Sequence, residues 1–366
     1  MRSVTRNREP IHLGLDVHKD SITVGVLEPD AQAAVMTRLS SDDDAVRRLV
    51  GKFADKKRLK VCYEAGPTGF TLARTLRGWG VDCEVIAPSR IPKQSGDRVK
   101  TDKRDAATLA VLHRAGLLTP IRVPTEGEEA LRDLCRARQD TYDDLKRVRR
   151  RLLAFLLRHG QVYRASSTWT REHQQWLNQV QVTEPAARAA FEHYLAVERL
   201  RETELDAMTR ELLGWVDREP FTTPVHRLAA YRGVGYISAL GITAEIGEWT
   251  RFARATGFMA FTGLVPSEYS SGERRHQGQI TKAGNVYVRT HLVESAWQYR
   301  HHPAIGAELR RRHAHVGPDT VARSWKAQQR LCGRYRRMTA RLVNPNVTVT
   351  AIARELGGFL WAEMTS

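Results

Sequence analysis

Four carboxylates in the first third of the chain could share one piece of chemistry. Asp16 ends an apolar strand pattern and precedes His18 and Lys19. Glu64 lies just past a second such pattern, in Tyr63-Glu64-Ala65-Gly66-Pro67-Thr68-Gly69, where glycines and a proline allow a ligand close to the backbone. Asp102 and Asp105 are spaced i, i+3 at the start of a helical pattern, so both project from one helical face. Two magnesium ions in a phosphoryl-transfer site need about four carboxylate oxygens brought to one place, one carboxylate often bridging, with hard oxygen ligands rather than His or Cys. Taken singly, each residue has an ordinary reading: Asp16 as a turn former, Glu64 as surface, Asp102 as a helix N-cap with Asp105 in its first turn. A strand-end Asp, a strand-end Glu and a helical Asp pair form a more specific combination.

That combination is the pattern of RNase H-like nucleases. A sugar-kinase-like ATPase also begins its first hairpin with Asp-x-Gly, but the Gly and Thr needed to wrap a phosphate are missing after Asp16. A second chemical segment runs from Phe261 to Asn285, with glycines at 263, 272, 278 and 284, the serine pair Ser270-Ser271, and the cations Arg274, Arg275 and Lys282. A serine beside cations that hold a phosphodiester can attack phosphorus and retain the DNA end covalently; on chemistry alone the same serines can merely contact phosphate or cap a turn. Gly233-Val234-Gly235, followed by a helical pattern, resembles the second half of a helix-hairpin-helix, in which a Gly-x-Gly turn presents backbone N–H groups to a phosphate.

The elements that must position these groups can be read from periodicity. His12–Leu15 and Ser21–Leu27 predict a hairpin, Leu59–Tyr63 a third strand and Glu84–Ile86 a fourth. Helical patterns occupy Asp43–Phe53 and Gly69–Trp79, and a helix from Thr101 to His113 is stopped by Gly116 and Pro120. This is an α/β domain with a mixed sheet over residues 1–125. From Glu128 to His159, Leu131, Leu134, Leu145, Val148, Leu152 and Phe155 fall on a three-four spacing that predicts a coiled-coil arm. A polar connector from Gly160 to Pro185 leads to a second helix, Ala186–Val216, expected to fold back antiparallel, so that the arm covers 126–222. The stripe through Leu145, Val148, Leu152 and Phe155 is one that a single helix cannot bury and to which the antiparallel partner, with its looser pattern, offers only a loose match, which points to assembly of subunits through the arm. The alternative is that the stripe packs wholly within one chain. A mainly helical domain covers 223–366, and no motif marks the tail after about Arg300.

Composition removes several classes. Among 366 residues, 42% are hydrophobic and 27% charged, with no low-complexity tract, which is a globular composition. Apolar runs such as Leu152–Leu157 fall far short of the roughly 20 residues that span a bilayer, and Met1–Pro10 lacks the apolar stretch of a secretory signal; a cytoplasmic, nucleoid-associated protein is expected. Cys62, Cys83, Cys135 and Cys332 lie far apart and read as buried thiols rather than a zinc or disulfide framework. Lys and Arg number 58 against 41 Asp and Glu, a formal +17 that favours a nucleic-acid partner. Ser271–Arg341 holds 15 of the cations against Glu273, Glu294, Glu308 and Asp319, so the C-terminal third is the expected main polyanion surface.

Five blocks carry a family resemblance. They are Gly14-Leu15-Asp16-Val17-His18-Lys19, Tyr63-Glu64-Ala65-Gly66, Lys100-Thr101-Asp102-Lys103-Arg104-Asp105-Ala106, Gly233-Val234-Gly235, and Gly263-Leu264-Val265-Pro266 to Ser271-Gly272 continuing to Thr281-Lys282-Ala283-Gly284-Asn285. In this order, over about Ile11 to Arg300, the chain resembles the DEDD transposases of the insertion-sequence IS110 family. The resemblance implies an N-terminal RuvC-like domain whose acidic set matches Asp16, Glu64, Asp102 and Asp105, binding Mg2+ with Mn2+ as a substitute. It also implies a C-terminal domain with a nucleophilic serine that precedes Gly, which selects Ser271 over Ser270. Donor and target DNA, a guide (bridge) RNA from the element's own noncoding end, and a dimer or tetramer with a site completed between subunits are the implied partners. Base pairing would then supply sequence while the protein supplies backbone contacts. Two other classes stay open on the residues: a metal-dependent junction endonuclease using water, and a non-catalytic nucleic-acid-binding protein.

Overall fold

The computed structural model describes residues 9–92, 102–165, 167–269 and 277–366, with Asp102 and Lys103 described by backbone alone. It divides into two compact units, residues 1–125 and 126–366.

The first unit is built on a six-stranded sheet. Strand β1 (Ile11–Val17) is followed by β2 (Ser21–Leu27), β3 (Val35–Ser40), α1 (Asp43–Gly51), β4 (Leu59–Glu64), α2 (Thr71–Gly78), β5 (Asp82–Ile86), α3 (Asp102–Arg114) and β6 (Pro120–Ile121). The strand order is β3-β2-β1-β4-β5-β6, with β1, β4 and β5 mutually parallel and the rest antiparallel. The expected hairpin and mixed sheet are therefore present. Residues Ile11–Leu15 are buried without alternation because β1 is central and covered on both faces. The two strands that periodicity misses, β3 and β6, are edge strands. Val35 is 70% exposed, and Pro120, read from sequence as a helix stop, sits where a missing N–H costs no ladder bond.

One face of the sheet closes over α1 and α2 through Leu13, Leu15, Val24, Val61, Tyr63 and Val85. Helix α1 starts where Asp42 accepts a hydrogen bond from the Ala45 amide at 2.7 Å. The other face receives α3, which meets Cys62, Ile86 and the backbone at Gly14 and Gly25. All four cysteines are buried free thiols, as expected.

The second unit opens with α4 (Glu126–Arg158), followed by α5 (Arg171–Gln179) and α6 (Pro185–Leu213). Helices α4 and α6 run antiparallel: Arg138 donates to Thr209 at 2.8 Å, and Arg149 meets Glu198 at 2.8 Å and Glu202 at 2.6 Å. The polar connector contains α5, begun by Thr170 accepting from the His173 amide at 3.2 Å. Leu177 of α5 and Phe191 of α6 pack on Leu152, Phe155 and Leu156. This corrects the argument for assembly through the arm. Leu145, Val148, Leu152 and Phe155 are all buried inside one chain, at 7% exposure or less, because α5 and α6 supply the apolar surface that the loose pattern of the second helix did not advertise.

The remaining elements are α7 (Thr222–Ala229), α8 (Tyr236–Ile246), α9 (Ala255–Phe261), β7 (Pro266–Glu268), β8 (Gln277–Ile280), α10 (Val286–Ala296), α11 (Ala307–His313), α12 (Pro318–Ala340) and α13 (Pro345–Met364). The tail without a motif is core: Leu331, Ile352, Leu356 and Leu360 pack with Leu240, Phe258 and Leu292, and Leu131 and Cys135 from the base of α4 join the same cluster. Buried Glu363 ties α13 to α7 and α12, accepting from Arg227 at 2.8 Å, Thr320 at 2.7 Å and Arg323 at 2.6 Å. No helix among the described residues is long and apolar enough to cross a membrane.

Candidate functional site

In the first unit, parallel pairing of β1 with β4 runs to the Leu15–Tyr63 pair. Asp16 and Glu64 stand one residue further, at the carboxyl ends of neighbouring parallel strands, where open α/β sheets bind ligands. Asp16 is partly buried, 21% exposed at its side chain, with His18 Nε2 at 3.2 Å; Glu64 is exposed. The loop after Glu64 is held by the buried Tyr63, whose hydroxyl donates to the Gly69 carbonyl at 3.0 Å.

Helix α3 brings the third contribution. His12 faces His113, and Gly14 faces Ala110 and Ala106, so α3 runs antiparallel to β1 and its N-terminal turn points to the Asp16 end. The approach is close. A Cβ on Gly14 would lie 2.3 Å from the Ala106 carbonyl oxygen and 2.5 Å from the Ala110 nitrogen, and one on Gly25 would lie 2.9 Å from the same oxygen. Two glycines inside β-rich strands were a legible signal of close backbone approach, and sequence reasoning missed it. The backbone thus carries Asp102 and Asp105 toward the edge that holds Asp16 and Glu64. Asp105 is partly buried; the Asp102 side chain is outside the described residues. The donor set is carboxylate oxygen throughout, which suits a hard divalent cation. Among the described residues no three His, Cys, Asp or Glu side chains already converge closely enough to hold an ion.

At the other end of α3, His12 and His113 form an edge-to-face pair, and His113 Nε2 lies 3.3 Å from Glu84. Burial, then the neighbouring His113, Arg114 and Lys60, pulls His12 down to about 4, so it stays neutral at pH 7.

In the second unit, the segment from Phe261 to Asn285 contains a two-stranded hairpin, β7 paired antiparallel with β8. Ser270, Ser271, Arg274 and Arg275 lie outside the described residues. What is described is how the hairpin is anchored. The Thr281 amide donates to Val265 at 2.9 Å, Lys282 to Gly263 at 3.1 Å and Asn285 to Phe261 at 2.8 Å. Gly263 (φ 68°) and Gly284 (φ 123°) sit where a Cβ would be 2.6 Å from Ala283 O and 2.1 Å from Phe261 O, so both are demanded by this crossing. Lys282 is exposed.

Gly233 (φ 84°) lies in the turn between α7 and α8, against the Ser295 carbonyl, where a Cβ would stand at 2.3 Å. Gly235 is exposed, opens α8 and has nothing near its Cβ position, so a phosphate could reach the helix N-terminus there. The turn is held from behind by buried Arg312, which donates to the carbonyls of Ala229 and Val234. That role qualifies the expected polyanion surface. Arg289 donates to Thr262, Arg323 is paired with Glu363, and Arg330 and Arg334 with Glu355, so several cations of the C-terminal third serve the fold.

Comparison with known proteins finds two family matches, in separate stretches of the chain. Residues 13–160 match a DEDD transposase family of the IS110 type, and residues 225–310 match the transposase IS116/IS110/IS902 family. A putative transposase, y4qE, of Sinorhizobium fredii is 40% identical over 99% of this chain and 90% of its own length. The chain belongs to the IS110 family of transposases. Further relatives of the transposase are that of insertion sequence element IS1533 of Leptospira borgpetersenii, 29% identical over 82% of this chain and 88% of its own, and that of IS1111A of Coxiella burnetii, 25% identical over 78% and 76%. As a transposase it acts on DNA. The first family match runs past the end of the sheet unit and through the whole of α4.

Proposed function

We propose that this IS110-family transposase cuts and rejoins donor and target DNA with a carboxylate site made of Asp16, Glu64, Asp102 and Asp105 and a nucleophile, Ser271. The observation that supports the first half is the antiparallel run of α3 along β1, which directs the Asp pair to the strand ends bearing Asp16 and Glu64. These four residues would hold Mg2+, or Mn2+ in its stead, and the ion when bound would neutralise charge developing on the phosphoryl oxygens. The Ser271 hydroxyl attacks the scissile phosphorus: its Oγ–P bond forms, the bond from phosphorus to the 3′ oxygen breaks, and the serine proton passes to the leaving 3′ oxygen, which becomes a free 3′ hydroxyl. The same hydroxyl on a partner strand reverses the step, so bond energy is conserved and no nucleotide cofactor is consumed.

Arg274, Arg275 and Lys282 would contact the phosphodiester on the serine hairpin, and the N–H groups after Gly235 a phosphate at the start of α8, with Gly233 shaping the turn behind them, since the Val234 N–H is taken by the Tyr231 carbonyl. The excess of cations suits a guide (bridge) RNA as well as DNA, with base pairing supplying sequence and the protein supplying backbone contacts. On this reading 1–125 is the carboxylate domain, 126–222 the arm and 223–366 the serine domain, and the transposase works in the cytoplasm as a dimer or tetramer.

The test is an adduct trap. Incubated with element-end DNA and Mg2+, the protein should yield a covalent protein–DNA species that Ser271→Ala abolishes, with nucleic-acid affinity within about threefold of the parent because one hydroxyl is small beside many phosphate contacts. Persistence of the adduct in Ser271→Ala would move the role to Ser270. Cleavage without any adduct would replace the serine by water.

A further inference from the structure

Glu245 is a charge where the core has least reason to keep one. Helix α8 is apolar on nearly every side, and the Glu245 side chain is 2% exposed. Taking a carboxylate out of water carries a desolvation cost that its pairing need not repay, so the presence of Glu245 here, paired with the half-exposed Arg136, asks for a reason other than stability. Two groups meet it. Arg136 of α4 forks onto the carboxylate, Nε to Oε1 at 2.6 Å and Nη2 to Oε2 at 3.0 Å. From the other side Asn285 Nδ2 donates to Oε2 at 2.7 Å.

The Asn285 amide can face only one way. Its Oδ1 accepts from the Val288 amide at 2.9 Å, which caps α10, so its NH2 group is left for the carboxylate. Its own backbone N–H is committed to Phe261 O. Asn285 is thus the point where the chain leaving β8 becomes helix, fixed by three hydrogen bonds, the longest-range of which reaches Glu245. A second contact joins this stretch to α4: two residues on, in the first turn of α10, the Tyr287 side chain meets that of Cys135.

We infer that Glu245 is a positioning residue that, through Asn285 and Arg136, locks the exit of the hairpin bearing Ser271 to the arm helix α4, so that a displacement of α4 is passed to the hairpin. This rests on the serine reading for its catalytic consequence but not for the mechanical link. Arg136 lies far from the hairpin in sequence and, on this account, still governs its order.

Two readouts on the full-length chain separate these. In hydrogen exchange, Arg136→Ala and Asn285→Ala should each raise exchange at Thr281 and Lys282 while amides of α12 and α13 keep parental protection. In the adduct trap at saturating DNA, each should slow adduct formation by about 10- to 100-fold, the cost of a misplacement on the order of 1 Å, with DNA affinity within about threefold. The double variant should be no slower than the slower single, since both act through one carboxylate. The exchanged pair Glu245→Gln with Asn285→Asp lets an amide on 245 donate to a carboxylate on 285, and it should recover much of the rate lost in Asn285→Asp alone. A residue with only a packing role would lower stability, affinity and rate together and would not be rescued by the exchange. Parental exchange at Thr281 and Lys282 in Arg136→Ala overturns the link. Altered exchange with an unaltered adduct rate overturns the catalytic consequence. An adduct that survives Ser271→Ala overturns the serine assignment, and the exchange result still decides the link.

Discussion

Replacing Gly14 by Ala should uncouple the carboxylate site from the fold that carries it. The added Cβ would sit 2.3 Å from the Ala106 oxygen and 2.5 Å from the Ala110 nitrogen, both backbone atoms of α3, and 2.8 Å from the Leu109 Cβ. Ordinary contact begins near 3.4 Å, so the helix must lift by about 1 Å, since no flexible side chain can give way. Overpacking of this kind costs about 1–3 kcal/mol, little enough for the sheet to remain folded. The functional loss is larger, because Asp102 and Asp105 ride on the displaced helix while Asp16 and Glu64 stay on the strands, and a misplacement on the order of 1 Å costs about 100-fold in rate. Strand cleavage should be measured against magnesium concentration beside a thermal melt, with Gly25→Ala, whose Cβ would lie 2.9 Å from the same oxygen, as a milder companion. The expected order is parent, then Gly25→Ala, then Gly14→Ala, with the rate falling much more than the melting temperature. A Gly14→Ala protein that cleaves at the parental rate and magnesium dependence would refute the claim that α3 docking sets the site.

Substituting Leu145 and Leu152 together by Asp should unfold the helical hairpin rather than merely part subunits, because both side chains are buried within the chain and charges there cost several kcal/mol; a well-folded variant of halved mass by light scattering would show the stripe to be an intersubunit seam after all. Glu363 gives a pH signature. Burial alone would raise its pKa, but hydrogen bonds from Arg323, Thr320 and Arg227 outweigh that and hold it at about 2, below its ordinary 4.5. A depressed acid stabilises above its unfolded pKa, so the advantage of the parent over Glu363→Gln, about 3 kcal/mol, should be complete at pH 6 and vanish as pH falls from 4.5 to 2; a difference that is constant in denaturant titrations across that range would contradict the ion-pair account.

The sequence by itself determined the outline of this transposase because the relevant signals are local. Short runs of β-branched and apolar residues, the i, i+3 spacing of Asp102 and Asp105, and the three-four spacing from Leu131 to Phe155 each report on neighbours within a few residues, and the inner strands of the sheet, α3 and α4 follow from them. The short blocks around Asp16, Glu64 and Gly263 identified the family for the same reason: chemistry fixes residue types at fixed separations. What tertiary structure alone decided depends on partners far along the chain. Edge strand β3 exists because β2 offers it a ladder. The stripe of α4 is covered by α5 and α6, helices whose own patterns are too loose to announce the match. The tail beyond Arg300 became core because its apolar residues meet α8, α9 and α10, and the cations Arg312 and Arg323 turned inward because buried carbonyls and Glu363 needed them. Glu245 reads in sequence as one more helical acid. Only the fold brings Arg136 and Asn285 to it, since burial and charge pairing are properties of contact across the chain rather than of order along it.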